Sequence, residues 1–174
     1  DIEEDEEISL VVETMGGTTP AYEFVKAALL KGKHVVTSNK ALVAAHGTEL
    51  LQIARDRKVN FFFEAAVGGG IPVIRTLGTG YQGQVITEIT GILNGTTNYI
   101  LTRMDREGAE FGDVLADAQR LGYAERNPEA DIEGHDTCRK IAILSSLVTG
   151  KEVNFEDVYT EGISKIDSTD FRYA

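Results

Sequence analysis

The sequence predicts an α/β chain in which a short parallel sheet with crossover helices precedes a second, α+β piece. Three observations carry this expectation. Short apolar runs alternate with segments of helical periodicity through the first third of the chain, the signature of strand–helix–strand units. The pattern breaks at Gly68-Gly69-Gly70-Ile71-Pro72. Beyond that point helical segments dominate, with one alternating strand-like run.

Each element follows from local pattern. Ile8-Ser9-Leu10-Val11-Val12-Glu13 reads as a short buried strand. Thr14-Met15-Gly16-Gly17-Thr18-Thr19-Pro20 is a glycine-rich turn with proline near a helix start. Ala21 to Leu30 carries apolar residues at helical spacing, and Gly32 ends it. His34-Val35-Val36-Thr37 is a second strand, and Ser38-Asn39-Lys40 turns into a helix running to about Arg57. Asn60 to Ala65 is a third, Phe-rich strand. A short helix is expected after Pro72, ending between Gly78 and Gly83. Gln84 to Leu93 alternates as a strand. Asn94-Gly95-Thr96-Thr97-Asn98 caps the next helix, Phe111 to Leu121 forms another, and the helix carrying Lys140 ends near Gly150. The tail reads as loop, a short strand at Ile163 to Ile166, and a turn.

The parallel piece holds three strands, whereas a complete dinucleotide fold has about six. No Gly-x-Gly-x-x-Gly follows a first strand, and Gly68-Gly69-Gly70 has the wrong spacing for that fingerprint. The sheet is therefore read as a partial Rossmann-like sheet. The chain opens mid-fold, as a piece lacking its preceding strands would.

Composition narrows the function classes. A chain of 174 residues with 42% hydrophobic content suffices for one domain with a sizeable core, or one domain and part of another. A net charge of −11 argues against nucleic acid and anionic membranes as partners. An anionic small ligand needs only a local positive pocket. The acidic run Asp1 to Glu7 reads as a solvated surface stretch or frayed end. Cys138 is the only cysteine, so no internal disulfide forms, and packing is its expected role. With no signal peptide visible, the expected compartment is a reducing cytoplasm. His34, His46 and His135 lack metal-ligand spacing.

The segment Glu125 to Lys140 carries the most chemistry. Asp136 and Lys140 stand four apart, on one face of a helix. Ile141-Ala142-Ile143-Leu144 follows, apolar on nearly every side, as in a buried helix. A lysine at the mouth of such a helix meets a low dielectric, which weakens its hold on its proton and suits it to general acid–base work. The bland alternative is a surface pair, worth about 0.2–0.5 kcal/mol. Glu125 and Asp131 crowd the same approach from a loop, where sites are commonly built.

Several stretches together resemble homoserine dehydrogenase. They are Glu13-Thr14-Met15-Gly16-Gly17, Thr37-Ser38-Asn39-Lys40, Glu64-Ala65-Ala66-Val67-Gly68-Gly69-Gly70-Ile71-Pro72, Gly91 to Tyr99, Leu121-Gly122-Tyr123-Ala124-Glu125, Asp131-Ile132-Glu133-Gly134-His135-Asp136 with Lys140, and Thr160-Glu161-Gly162-Ile163. Their order and spacing also fit, from about Ile8 to Asp170.

The resemblance implies an NAD(P)-dependent oxidoreductase interconverting L-homoserine and L-aspartate 4-semialdehyde, on the threonine and methionine branch of aspartate metabolism. It also implies a cytoplasmic homodimer joined through the sheet of its catalytic domain. Residues 1–66 would be the C-terminal part of a dinucleotide-binding domain. Residues 67–165 would form the catalytic and dimerisation domain, and 166–174 would begin the return to the nucleotide domain. The alternatives are a catalytically silent dimerisation or interaction fragment of such an enzyme, or another Rossmann-type reductase. The choice of NADP or NAD rests on a residue after the second strand of a complete fold, outside this stretch.

Roles follow residue by residue. Lys140 is the acid/base candidate, with Asp136 holding it or binding the substrate ammonium. The resemblance gives Glu125 to the same ammonium, which a carboxylate suits. Asp131 fits either that role or a helix N-cap. Lys40 stands after a strand end, where ligands of parallel sheets bind. A cation is unfavourable at a helix start, so contact with cofactor or substrate carboxylate would explain it, against a solvated lysine as the plain reading. Thr14, Gly16 and Gly17 form either an ordinary turn or the nicotinamide-ribose side of the cofactor site. Glu64, Val67, Gly69 and Ile71 match a loop that binds sodium through backbone carbonyls in the family. Its plain reading is a tight turn set by glycine. The Asn94 to Asn98 turn could offer backbone N–H groups to a substrate carboxylate, or be a capped helix start.

Overall fold

The computed structural model describes residues 2–81 and 83–174. The chain forms two compact units. One comprises Asp1–Ile89 with Arg139–Asp157, the other Thr90–Cys138 with Val158–Ala174. No helix among the described residues is long and apolar enough to cross a membrane.

The first unit is built on a parallel sheet of β1 (Leu10–Glu13), β2 (His34–Thr37) and β3 (Phe61–Phe62), in that order. Helix α1 (Ala21–Leu30) connects β1 to β2, and α2 (Lys40–Arg57) connects β2 to β3. Ala21, Val25, Ala28 and Leu29 are the buried face of α1, at helical spacing. Burying a side chain such as Leu29 or Val25 contributes about 1.5–3 kcal/mol. Helix α2 buries Leu42, Val43, Gly47, Leu50 and Ala54, and α1 packs on α2. At the end of α1, Gly32 adopts φ 78°. Gly32 N–H donates to Leu29 O, and Lys33 N–H to Ala28 O, the two bonds of a Schellman stop.

The acidic start of the chain is exposed but fastened. Lys33 Nζ donates to the carbonyls of Asp5 (2.5 Å) and Ile8 (2.7 Å), and Lys31 pairs with Glu4 at 3.0 Å. Asp1, part of the run read as frayed, lies outside the described residues.

The carboxyl ends of β1 and β2 are joined by side chains. Glu13 and Thr37 are register partners, and both are buried. Thr37 Oγ1 donates to Glu13 Oε2 at 2.5 Å and accepts from Asn39 N–H at 2.9 Å. Glu13 Oε1 accepts from Met15 N–H. Asn39 caps α2 by accepting from Leu42 N–H at 3.1 Å, and its amide donates to Gly17 O at 2.7 Å.

The second unit is helical: α4 (Gly95–Glu107), α5 (Phe111–Arg120), α6 (Glu129–Ile132), the first turn of α7 (His135–Thr149) and α8 (Ser168–Tyr173). Its core is Ile100 and Met104 of α4, Val114 and Ala118 of α5, and Ala124, with Tyr99, Phe111, Ile132, Ile163 and Phe171 packed around them. Arg103 ties α4 to α5, donating to Glu107 and to Asp117 (2.8 Å). The Arg103 guanidinium bonded to it holds Glu107 below the usual carboxylate range; Asp117, paired first with Arg120 and then with Arg103, is lowered likewise. Leu121-Gly122-Tyr123 closes α5 with a second Schellman stop, Gly122 N–H to Gln119 O and Tyr123 N–H to Ala118 O.

Five expectations change. The first strand is shorter and more exposed than the buried run Ile8 to Glu13: it spans Leu10–Glu13 at the edge of the described sheet, with Leu10 and Val12 49% and 61% exposed. The third strand is shorter than Asn60 to Ala65, because Glu64–Ala66 turns into a 3-10 helix. After Pro72 comes one turn, α3 (Val73–Arg75), continued in π geometry over Thr76–Gly80. Gln82, within the stretch where this helix is read to end, lies outside the described residues. Among the described residues, 84–93 forms no strand. Val85 and Ile92 are 89% and 78% exposed. Alternation shows only which faces a strand would have; a strand needs a neighbour for its backbone. The tail strand at Ile163 to Ile166 is also absent from the described residues, and α8 follows it. Its capping box, Asp167 with Asp170, is the start signal that the turn reading passed over.

Two glycines let the tail approach α6. Ile163 N–H donates to Ile132 O at 2.7 Å. A Cβ on Gly162 would stand 2.6 Å from Ile132 O, and one on Gly134 (φ 81°) would stand 2.9 Å from Glu161 O.

Two outcomes are expected. Thr37→Val removes the hydroxyl between Glu13 and Asn39, leaving buried polar groups unmet. It should lower stability by about 1–3 kcal/mol in chemical denaturation, and an unchanged midpoint would refute the importance of this link. Gly162→Ala should cost about 1–3 kcal/mol through overpacking, whereas Gly112→Ala, with open space around its Cβ, should be neutral or mildly stabilising. Equal behaviour of the two variants would contradict the close approach.

Candidate functional site

Parallel sheets bind ligands at the carboxyl ends of their strands, and that edge of the first unit carries the candidates before α2. Thr14, Gly16 and Gly17 form an exposed turn directly after β1. Neither glycine would meet any atom within 4 Å if given a Cβ, so this backbone is open to approach. The turn is nevertheless anchored, by Met15 N–H on Glu13 and by Asn39 on Gly17 O. Lys40 is the first residue of α2 and half-buried, placed by the Asn39 cap.

In the same unit, Glu64 is half-buried on the 3-10 turn. Its carboxylate accepts from Ile74 N–H at 2.9 Å and Arg75 N–H at 2.8 Å, so it caps α3. Val67 is buried, Gly69 is exposed with φ 58°, and Ile71 is 69% exposed. Lys140, in the second turn of α7, is half-buried. The apolar run after it is largely buried: Ala142, Ile143 and Leu144 are 1%, 4% and 1% exposed. A groove of about 540 Å³ lies in this unit along α2 and the second half of α7, against Leu51, Phe63, Ile143 and Leu147. No residue named above as a site candidate lines it.

The second unit holds a polar cluster gathered on Asn94. Asp136, in the first turn of α7, is 1% exposed, and Asp131 is half-buried in α6. Asn94 brings them together: its Nδ2 donates to Asp131 Oδ1 at 2.7 Å and to Asp136 Oδ2 at 2.9 Å. Its Oδ1 accepts from Thr97 N–H at 2.8 Å and so caps α4. The helix-cap role proposed for Asp131 does not hold, because Pro128 occupies that position of α6. Two backbone N–H groups of the Asn94 to Asn98 turn are already engaged, Thr97 N–H by the Asn94 side chain and Asn98 N–H by Asn94 O.

Glu125 is exposed on the loop between α5 and α6. Gln119 Nε2 donates to its carbonyl at 3.0 Å, and Thr96 Oγ1 donates to Tyr123 O at 2.8 Å, so the loop backbone is held. Cys138 is buried, as a packing residue would be.

Sequence reasoning passed over Glu13, Thr37 and Asn39 as positioning groups, and the Asn94 side chain as a bridge. The signal for Glu13 was available: one carboxylate ends the otherwise apolar Leu-Val-Val. Nothing in the sequence announces that Asn94 reaches residues 37 and 42 positions ahead of it.

Comparison with known proteins adds the family. Residues 72–174 match the homoserine dehydrogenase model, and residues 1–64 match the model of the homoserine dehydrogenase NAD binding domain. The homoserine dehydrogenase of Pseudomonas aeruginosa is 51% identical over 97% of this chain and 39% of its own length. That of Synechocystis is also 51% identical, over 98% of this chain and 39% of its own length. The chain thus spans about two-fifths of the length of the curated relatives it matches. The crystal structure of a homoserine dehydrogenase from Thiobacillus denitrificans superposes with a TM-score of 0.93 at 50% identity, over 98% of this chain and 40% of that one. A hyperthermophilic archaeal homoserine dehydrogenase in complex with NADPH gives 0.87 at 32% identity, over 95% of this chain and 52% of that one. The parallel strand–helix unit at the start and both domain matches agree: the chain belongs to the homoserine dehydrogenase family.

Proposed function

We propose that this chain carries catalytic and cofactor-facing parts of an NAD(P)-dependent oxidoreductase that interconverts L-homoserine and L-aspartate 4-semialdehyde, in threonine and methionine biosynthesis. The observation that carries this reading is the pair of carboxylates gathered on Asn94, with Lys140 one helical turn beyond Asp136 on α7. A nicotinamide cofactor, when bound, exchanges the hydride. The protein must then bind the amino acid and manage one proton.

In the reduction direction the Lys140 ammonium hydrogen-bonds the aldehyde oxygen and donates its proton as alkoxide character develops. In oxidation the neutral amine takes the proton from the alcohol. Asp136 and Asp131 accept hydrogen bonds from the substrate ammonium, with Glu125 reaching it from the held loop. Thr14, Gly16 and Gly17 present open backbone to the nicotinamide-ribose side of the cofactor. Lys40 meets either the cofactor or the substrate carboxylate. The enzyme is expected to work as a cytoplasmic homodimer.

Sodium belongs to the same reading, held by the backbone carbonyls of Glu64, Val67, Gly69 and Ile71. The loop supports this in part. Gly68 and Gly69 both take positive φ, which turns carbonyls that most residues could not turn. Among the described residues no group of three or more His, Cys, Asp or Glu could hold a metal, so a cation here would depend on carbonyls, as hard cations accept.

The second reading is a dimerisation or interaction module without turnover. The exposed Val85 and Ile92 favour it, as apolar residues at a partner surface would. Mixing the protein with NADPH and aspartate semialdehyde, and following the reduced cofactor's absorbance, separates the two. Turnover supports the enzyme; no turnover with a dimer by sizing supports the module.

Two predictions follow from the enzyme reading. In the full polypeptide that carries these residues, Lys140→Ala should lower kcat by about 10²–10⁴-fold, and near wild-type turnover would exclude Lys140 as the acid/base. Replacing potassium by sodium at constant ionic strength should raise the thermal midpoint, an effect that Gly69→Pro should reduce. Identical midpoints in both salts would argue against the sodium loop.

A further inference from the structure

We propose that Asn94 is a positioning residue of the substrate-ammonium site, its side-chain amide holding Asp131 and Asp136 as one paired acceptor. This rests on the reading of those two carboxylates as the ammonium site. The geometry divides the Asn94 side chain into two tasks. Its oxygen caps α4 through Thr97 N–H at 2.8 Å, and also lies 3.0 Å from the Thr97 hydroxyl. Its nitrogen faces the other way and gives a hydrogen to each carboxylate, at 2.7 and 2.9 Å. Asn94 is itself 6% exposed, so water is a poor substitute for either task.

The amide suits this place for a chemical reason. Two carboxylates drawn to one cation repel each other when the cation is absent. A neutral NH2 supplies one donor to each without adding charge and without competing as a cation would. The amide itself takes up one acceptor site on each carboxylate, and a carboxylate has about four. A lysine there would neutralise the pair and occupy it. An aspartate would keep the cap, since Asp and Asn cap about equally well, but would add a third negative charge and remove both donors. The cap oxygen fixes the amide plane, so the start of α4 sets the orientation of the two acids, which belong to α6 and α7.

The two tasks separate by mutation. Asn94→Ser and Asn94→Asp both keep a capping oxygen and lose the bridging donors. In the full polypeptide that carries these residues, KM for homoserine should rise about tenfold to a hundredfold in each, with a smaller change in kcat; the thermal midpoint should fall as well, and both effects should be larger for Asn94→Asp, because the buried acids lose their donors and gain a like charge. Inhibition by a hydroxy acid of the same length lacking the amino group should be unchanged. A role in folding alone would lower the midpoint and leave KM and this contrast untouched, and that result overturns the inference. Asp136→Asn serves as the control. If it raises KM while both Asn94 variants leave KM unchanged, the ammonium site stands and the positioning role is wrong. If Asp136→Asn itself leaves KM unchanged, the reading of the site fails and this inference falls with it.

Discussion

A carboxylate taken out of water at the end of a strand must be met by donors, and the first unit is organised around how Glu13 is met. One oxygen takes the Thr37 hydroxyl, the other takes Met15 N–H. Leaving such a group unmatched would cost several times what the bonds themselves contribute. The bonds therefore constrain more than they stabilise. The end of β1 is fastened to the end of β2, and through Asn39 to the start of α2 and to Gly17. Every residue offered to a cofactor in this unit, from Thr14 to Lys40, is placed by that short chain of contacts.

The second unit meets the same requirement with an amide in place of a hydroxyl. Asn94 completes a helix start with its oxygen and gathers two acids with its nitrogen. Both units thus use a capping asparagine, Asn39 or Asn94, whose remaining donors reach across to another element. A cap is normally a local matter worth about 1 kcal/mol. Here the unused half of each side chain converts a local stop signal into a long-range positional one. The close approach at Gly134 and Gly162 then holds the tail beside α6, on the element that carries Asp131.

Regular elements were legible where sidedness and end signals agreed. The α1 and α2 ranges, with buried faces at helical spacing and a clear start or stop, match their expectation, and so does β2. The stretch 84–93 had sidedness but forms no strand among the described residues, because alternation by itself supplies no ladder for the backbone. At α8 the reverse held: the capping box was present, but six residues with little apolar periodicity gave too weak a helical signal. The acidic start was legible as surface and illegible as anchored, because its anchor is the stem and ammonium of Lys33, far along the chain.

What the chain alone determined is the type and order of its main elements, its acidic surface and the family to which it belongs. These rest on periodicities, end signals and motif spacing, all of which are local in sequence. Which acids share a donor, which carboxylate caps a helix and which stays in solvent were decided only by the folded chain. Asp131 and Asp136 are joined through Asn94, Glu64 is spent on α3, and Glu125 faces water. Hydrogen bonds act over about 3 Å, and no spacing along a polymer fixes which distant residues fold to within that reach.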